Sequence, residues 1–283
     1  MRKNHPQRGT ASILYGIMSY FVMAIVVIIS IVPFIWVVLS SFKTNNEILE
    51  SAFTLPKTPS FVGYEIAMEM ANIPMRFMTS LIIATVTTVI SIFIYSMAAY
   101  VLARCEFKLR GAIFGLLICS MLIPSNAMIQ PIYATVKSLG LYDTKAGLIL
   151  IYTGFSMAMC LFLMRSFFLS VPRELEEAAY IEGAGFFTTF IKIMLPIAKS
   201  SIASSAVMTF IGAWNELLYA LLLTSSEENR TLPLTMKYFT SMFSFNYTAM
   251  FAALVMCIVP TIIVYVILQE QIMESMVAGA VKG

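Results

Sequence analysis

Charge is what this chain has least of. Only 12% of its 283 residues are Asp, Glu, Lys or Arg, against about 25% in an ordinary soluble domain. The 59% of hydrophobic residues could fill a large core in water, but too few polar groups remain to cover it. A soluble all-helical protein is excluded on that ground. Histidine is nearly missing too. The single one, His5, lies in the polar N-terminal stretch, so histidine chemistry within the apolar segments is excluded by inventory. A net charge of +3 is too small to imply a nucleic-acid partner.

The four cysteines, Cys105, Cys119, Cys160 and Cys257, form no CxxC pair, and three fall in apolar runs where Cys behaves as a small hydrophobe. No disulfide or metal site is expected. There is no GxxxxGK[ST] phosphate loop, no HExxH and no GxSxG. The expectation is therefore a chain with no catalytic residue, no cofactor and no metal ligand. Any nucleotide it depends on is bound by another chain.

Long apolar runs are what the chain does have. The first, Ile13 to Leu39, is longer than the ~7–15 residue core of a signal peptide and is followed by no small-x-small cleavage site. It should stay on the protein as an anchor. A bilayer core takes roughly 20 apolar residues in a helix, because only a helix satisfies its own backbone in lipid. Six segments qualify, at about 14–40, 78–103, 112–134, 146–168, 198–223 and 247–269. This predicts an all-α polytopic membrane protein with six transmembrane helices. Prolines 33, 124, 131 and 260 fall inside these runs, as membrane helices tolerate where they pack on protein. Pro124 and Pro131 bracket Ser125, Asn126 and Gln130, so the third span should bend and turn those polar groups toward an interior.

Basic residues orient the spans. With the N-terminus inside, eleven lie on the cytoplasmic side: Arg2, Lys3, Arg8, Arg104, Lys108, Arg110, Arg165, Arg173, Lys192, Lys199 and Lys282. Seven lie opposite. The short Arg104–Arg110 connection holds three of the eleven, and both termini are expected to be cytoplasmic, as tails 1–13 and 270–283 flanking a membrane domain 14–269. The outer loop 41–77 carries Pro56, Pro59, Gly63 and Pro74 around an amphipathic stretch, Tyr64 to Met70, which reads as a short surface helix.

The inner loop 170–196 is too long for a plain connection. Ser170 can cap a helix, Pro172 suits its first turn, and Glu174, Glu176 and Glu177 load the positive end of its dipole. Leu175, Ala178, Ala179 and Glu182 recur at helical spacing on one face, and Gly183 and Gly185 stop the helix. A second helical stretch, Phe186 to Met194, leads to Pro196. Such a helix fits either close docking to another protein or a solvated connector, and physics alone leaves both open.

The loop resembles the EAA motif of ABC importer permeases, E-A-A-x3-G-x9-I-x-L-P. Glu177, Ala178, Ala179, Gly183, Ile193, Leu195 and Pro196 all fall at that spacing. The resemblance implies a type I permease fold in which this loop is a cytoplasmic coupling helix seated in a cleft of an ATPase dimer. Glu177 would then be the polar contact and the two alanines the close-packed surface. It further implies a second permease subunit and a solute-binding protein outside. The flanking text is similar to the carbohydrate-uptake permeases of the maltose type, with Glu182 where those usually carry Asp. Trp214-Asn215-Glu216 matches their fifth-span cluster. The end of the chain resembles the tail of the second maltose-type permease, implying that Gly279, Lys282 and Gly283 reach the ATPase.

Glu216 is the one acidic residue near the middle of an expected span, so it must face protein or water. Two readings stay open. Trp214, Asn215 and Glu216, with Asn126 and Gln130, contact a solute in the path; or Glu216 pairs with a helix of the partner permease. Ser200, Ser201, Ser204, Ser205 and Thr209 suit close helix packing. The alternative function, an ion-coupled secondary transporter, normally needs several intramembrane ionisable residues, and a membrane enzyme would need a motif the chain lacks.

Overall fold

A computed structural model describes the backbone of residues 10–239 and 245–280. Thirteen helices follow one another among these residues: α1 (Thr10–Ser40), α2 (Asn45–Glu50), α3 (Val62–Ala71), α4 (Ile73–Arg104), α5 (Arg110–Cys119), α6 (Ile129–Ser138), α7 (Lys145–Ser170), α8 (Glu174–Ile181), α9 (Phe186–Thr189), α10 (Leu195–Ile197), α11 (Lys199–Asn215), α12 (Leu218–Leu223) and α13 (Tyr247–Ala280). The described residues contain no β-strand, so the all-α membrane fold expected from hydropathy is the one observed.

The chain forms two units, Met1–Met70 with Tyr238–Val255, and Ala71–Lys237 with Met256–Gly283. In the first, the apolar side chains of α1 are mostly exposed between Tyr15 and Ile35, as suits a helix surrounded by lipid or by another subunit, and half-buried from Trp36 to Leu39. The end of α1 is tied down by polar bonds. Trp36 Nε1 donates to the Ala52 carbonyl at 2.5 Å, and the buried Lys43 donates to the carbonyls of Ser51 and Ala52. Thr44 and Glu47 close a reciprocal capping box that starts α2.

In the second unit α4 and α7 are the most extensively packed pair, and α11 packs on both. Small residues allow the approach: Ala99 and Ala103 are buried against Cys160, Leu161 and Met164. Tyr95 donates to the Thr153 carbonyl at 2.8 Å, and Ser91 and Ser156 share a hydrogen bond of the same length. Each such bond in a membrane is worth only about 0.6 kcal/mol, so close packing is the larger contribution. Ser201, Ser204, Ser205 and Thr209 are buried on α11.

Two expected spans are not continuous helices. The third bends by 96° between Arg110–Leu122 and Ser125–Ser138, at Pro124. Pro124 lacks an N–H and restricts the residue before it to extended backbone, which Ile123 adopts. The fifth stops at Asn215, resumes as α12, and is approached through a 77° bend from Phe186–Ile197. Among the described residues four helices are long and apolar enough to cross a membrane, or up to six if each bent pair counts as one span. The last helix continues past 269 to Ala280. Ser170 does not cap the loop helix. It is the last residue of α7, and α8 starts after Arg173 without a side-chain cap.

Candidate functional site

The loop 170–196 folds as two short helices joined by a left-handed turn. Three carboxylates in the first turn of α8 favour its N-terminus through the helix dipole. Gly183 sits at φ +85° beyond its C-terminus, where the Gly183 and Ala184 N–H groups bond the carbonyls of Tyr180 and Ala179. That closure needs a residue without a Cβ strain penalty. Seven residues beyond Gly183, the chain relaxes into a π-turn, Phe190–Met194, closed by a bond from Leu195 N to the Phe190 carbonyl. Pro196 follows and cannot donate to an α-helical ladder.

The faces of α8 differ sharply. Glu177 and Ala178 are exposed, and Ile181 is 87% exposed, an unusual price in water for a large apolar side chain on a short helix. Glu176 and Ala179 are buried against the rest of the unit. The two motif alanines are thus divided, Ala178 outward and Ala179 inward, rather than sharing one docking face. Ile193 and Leu195 are half-buried and Pro196 is exposed. Phe190 and Met194 enter the same core as Tyr100 and Phe168, so the loop is built into the membrane bundle rather than hung from it.

Sequence reasoning passed over the residues that fasten α8. Glu176 Oε2 lies 2.7 Å from Arg104 Nε, and its other oxygen accepts from Tyr100 OH at 2.6 Å. Arg104 Nη2 also donates to the Val171 carbonyl at 2.8 Å. Tyr100 stacks on Phe190, with ring centroids 4.9 Å apart. The available signal was the doubled Glu176-Glu177, whose side chains point about 100° apart on a helix and so do not share one direction.

A second polar cluster lies at the break after α11. Glu216 is half-buried and accepts three hydrogen bonds: from Tyr152 OH at 2.6 Å, Tyr219 N at 2.8 Å and Ala220 N at 3.0 Å. It therefore satisfies the N–H groups freed where α12 begins, within its own chain. Tyr219 OH in turn donates to the Ser125 carbonyl at 2.6 Å, so the breaks in the third and fifth spans are bonded to each other. Glu216 and Tyr152 also line a cavity of about 310 Å³ with Phe155, Ser156, Met159 and Met208. Trp214 is 1% exposed, its indole N–H bonded to the Cys257 carbonyl and its ring set against Phe77 and Phe210. Asn215, Asn126 and Gln130 are exposed. Gly279 lies in α13, and Lys282 and Gly283 fall outside the described residues.

The 224–229 segment is clamped from two sides. Ser225 and Ser226 donate N–H and hydroxyl bonds to Asp143 at 2.9–3.1 Å, and the buried Arg76 pairs with Glu227. Burial pulls the Asp143 carboxyl upward, but the donors of Ser225 and Ser226 outweigh it and hold it at about 2.

Apolar spans broken at polar, internally bonded turns, with an inward-braced loop helix, form an integral-membrane helical fold. Residues 96–276 match the family described as binding-protein-dependent transport system inner membrane component, and the chain belongs to that family. It is a permease subunit of an ABC importer. It is 34% identical over 270 residues to the diacetylchitobiose uptake system permease protein NgcG of Streptomyces coelicolor, covering 95% of this chain and 89% of that one. To the sulfoquinovosyl glycerol transport system permease protein SmoH of Agrobacterium fabrum it is 32% identical over 277 residues, 97% of each chain. The fold matches a bacterial ABC transporter involved in the import of the acidic polysaccharide alginate, with a TM-score of 0.82 at 24% identity over 94% of this chain and 99% of that one.

Proposed function

We propose that this permease imports a carbohydrate as one of two different membrane subunits, driven by a cytoplasmic ATPase dimer and supplied by an extracytoplasmic solute-binding protein. Both termini then lie in the cytoplasm, as the excess of Lys and Arg on that side favours. The observation that carries the coupling assignment is the divided α8. Its exposed face offers Glu177, Ala178 and Ile181 to a partner, while its other face is held by the membrane bundle. An ATPase closing on that face would pull on the core through Ala179, Ile193, Leu195 and the turn at Gly183 and Pro196. The relatives' sugar and glycoside cargoes support the carbohydrate class. Asn126, Gln130 and Asn215 would offer hydrogen bonds along the path, with Trp214 and Glu216 shaping its wall. The resemblance of the C-terminal residues supports contact of Gly279, Lys282 and Gly283 with the ATPase.

The test is Gly183→Leu in the assembled transporter. At φ +85° a side chain costs about 1–2 kcal/mol, too little to block membrane insertion but enough to misplace the α8 turn. Membrane levels should match wild type while uptake of labelled oligosaccharides and stimulation of ATP hydrolysis by the binding protein both fall at least about tenfold. Normal uptake with normal stimulation would remove the coupling assignment.

A further inference from the structure

The helix that meets the ATPase must also grip the membrane bundle, and the grip is visible at a residue outside the EAA pattern. Glu176 is 6% exposed. Its carboxylate is held by the guanidinium of Arg104 and the hydroxyl of Tyr100, which stand one turn apart on the same face of α4. Arg104 is the last residue of α4 and reaches at the same time to the Val171 carbonyl, just ahead of α8. From Arg104 the 32-residue α4 runs roughly 48 Å, the full depth of a membrane. Tyr100 is fixed in turn by Phe168, Phe186 and Phe190.

We propose that Glu176 is the positioning residue that transmits movement of α8 to the membrane bundle, through its buried ion pair with the end of α4. The inference rests on α8 being the coupling helix. Apolar contacts such as Ala179 against its neighbours let two helices slide at little cost, whereas a buried ion pair flanked by two hydrogen bonds, Tyr100 to Glu176 and Arg104 to the Val171 carbonyl, has one good arrangement. A push on the exposed Glu177–Ala178 surface therefore turns α8 and α4 together, as one body, rather than sliding one past the other. Glu177 and Glu176 divide the work: one faces the partner, the other faces the machine it drives.

The experiment uses the full transporter, with both permeases, the ATPase and the binding protein, in lipid nanodiscs. The native cysteines are replaced and a reporter cysteine is placed at Asn126, which is exposed at the bend of the third span. Maleimide labelling of the reporter is followed with and without ATP and vanadate, beside ATP hydrolysis and retention of the ATPase on the permease. In the parent protein, nucleotide should change the labelling rate about tenfold. Glu176→Gln and Arg104→Gln should each reduce that change to about twofold or less while ATPase retention and basal hydrolysis persist. The double variant should be no worse than either single one, because both remove the same tie. Tyr100→Phe, which spares the ion pair, should give an intermediate loss and covers the case in which a charge variant fails to accumulate.

A purely structural role would instead lower assembly, hydrolysis and the labelling response together. That outcome, additive losses in the double variant, or a full response in Glu176→Gln would overturn the inference. Ala178→Trp separates this from the parent reading. It should release the ATPase, and if it leaves retention and hydrolysis unchanged, or if the parent protein shows no nucleotide response, the coupling assignment itself fails.

Discussion

Removing the Glu216 carboxylate distinguishes a residue that holds the fold from one that touches cargo. In Glu216→Ala the N–H groups of Tyr219 and Ala220 lose their acceptor in the first turn of α12, where no intrahelical carbonyl can replace it. Each orphaned donor costs about 1–3 kcal/mol. The Tyr152 hydroxyl, bonded at 2.6 Å, loses a charged acceptor but can turn toward the adjoining cavity, so it adds less. The two donors together cost about 2–6 kcal/mol. Glu216→Gln keeps one acceptor oxygen where the carboxylate uses both, Oε1 for Tyr219 and Oε2 for Ala220 and Tyr152, so it should cost about 1–3 kcal/mol, and Tyr152→Phe removes one donor for about 1–2 kcal/mol. The assay is thermal unfolding of the purified transporter in detergent, run beside uptake. The alanine variant should melt furthest below wild type and the other two less far below it, and the Tyr152→Phe/Glu216→Gln pair should be less than additive. Should Glu216→Ala melt like wild type, or Glu216→Gln abolish uptake at unchanged stability, the carboxylate serves the cargo and the structural account is wrong.

Two further substitutions test the supports around the site. A Cβ on Gly147 would fall well inside contact distance of the Leu141 carbonyl oxygen, a backbone atom that cannot swing away, so Gly147→Ala should lower stability by about 1–3 kcal/mol in the same melting assay. The Asp143 clamp should be sensitive to acid: the folded carboxyl titrates near 2 and the unfolded one near 3.8. Because the folded value is the lower, the stabilisation is complete above pH of about 4 and is lost as pH falls toward 2. The difference in melting temperature between wild type and Asp143→Asn should therefore be constant from neutral pH down to about 4 and shrink below it. A difference independent of acidity would show that the Ser225 and Ser226 donors do not depend on the charge.

Hydropathy locates the spans because lipid demands apolar surface over a fixed depth, yet it is blind to whether the backbone inside a span is continuous. The third span advertises its break through Pro124. The fifth contains no proline after Pro196, and its break is made by Glu216, which looked like a charge needing a partner on another subunit. Its partners are the backbone three and four residues ahead and a tyrosine on α7, a solution visible only once α12 is seen to begin there. The surroundings of Trp214 are equally distant in sequence: its ring is stacked with Phe210 and meets Phe77 in an edge contact, and its N–H donates to the Cys257 carbonyl.

The coupling loop shows the same boundary between local and distant information. Its helix, its stop at Gly183 and its exit at Pro196 follow from local chemistry and were readable. Which of two adjacent glutamates turns inward was not, because neighbours on a helix point about 100° apart and either could have been buried. The choice is made by Tyr100, 76 positions earlier in the chain, and by Arg104 beside it. A buried carboxylate without that pair would be too costly to keep, so α8 can dock with Glu176 inward only because α4 ends in a basic residue one turn beyond a tyrosine. Exposure of Glu177 and Ala178 then follows from the burial of Glu176, and the outward face of the loop is determined by a contact on its inward side.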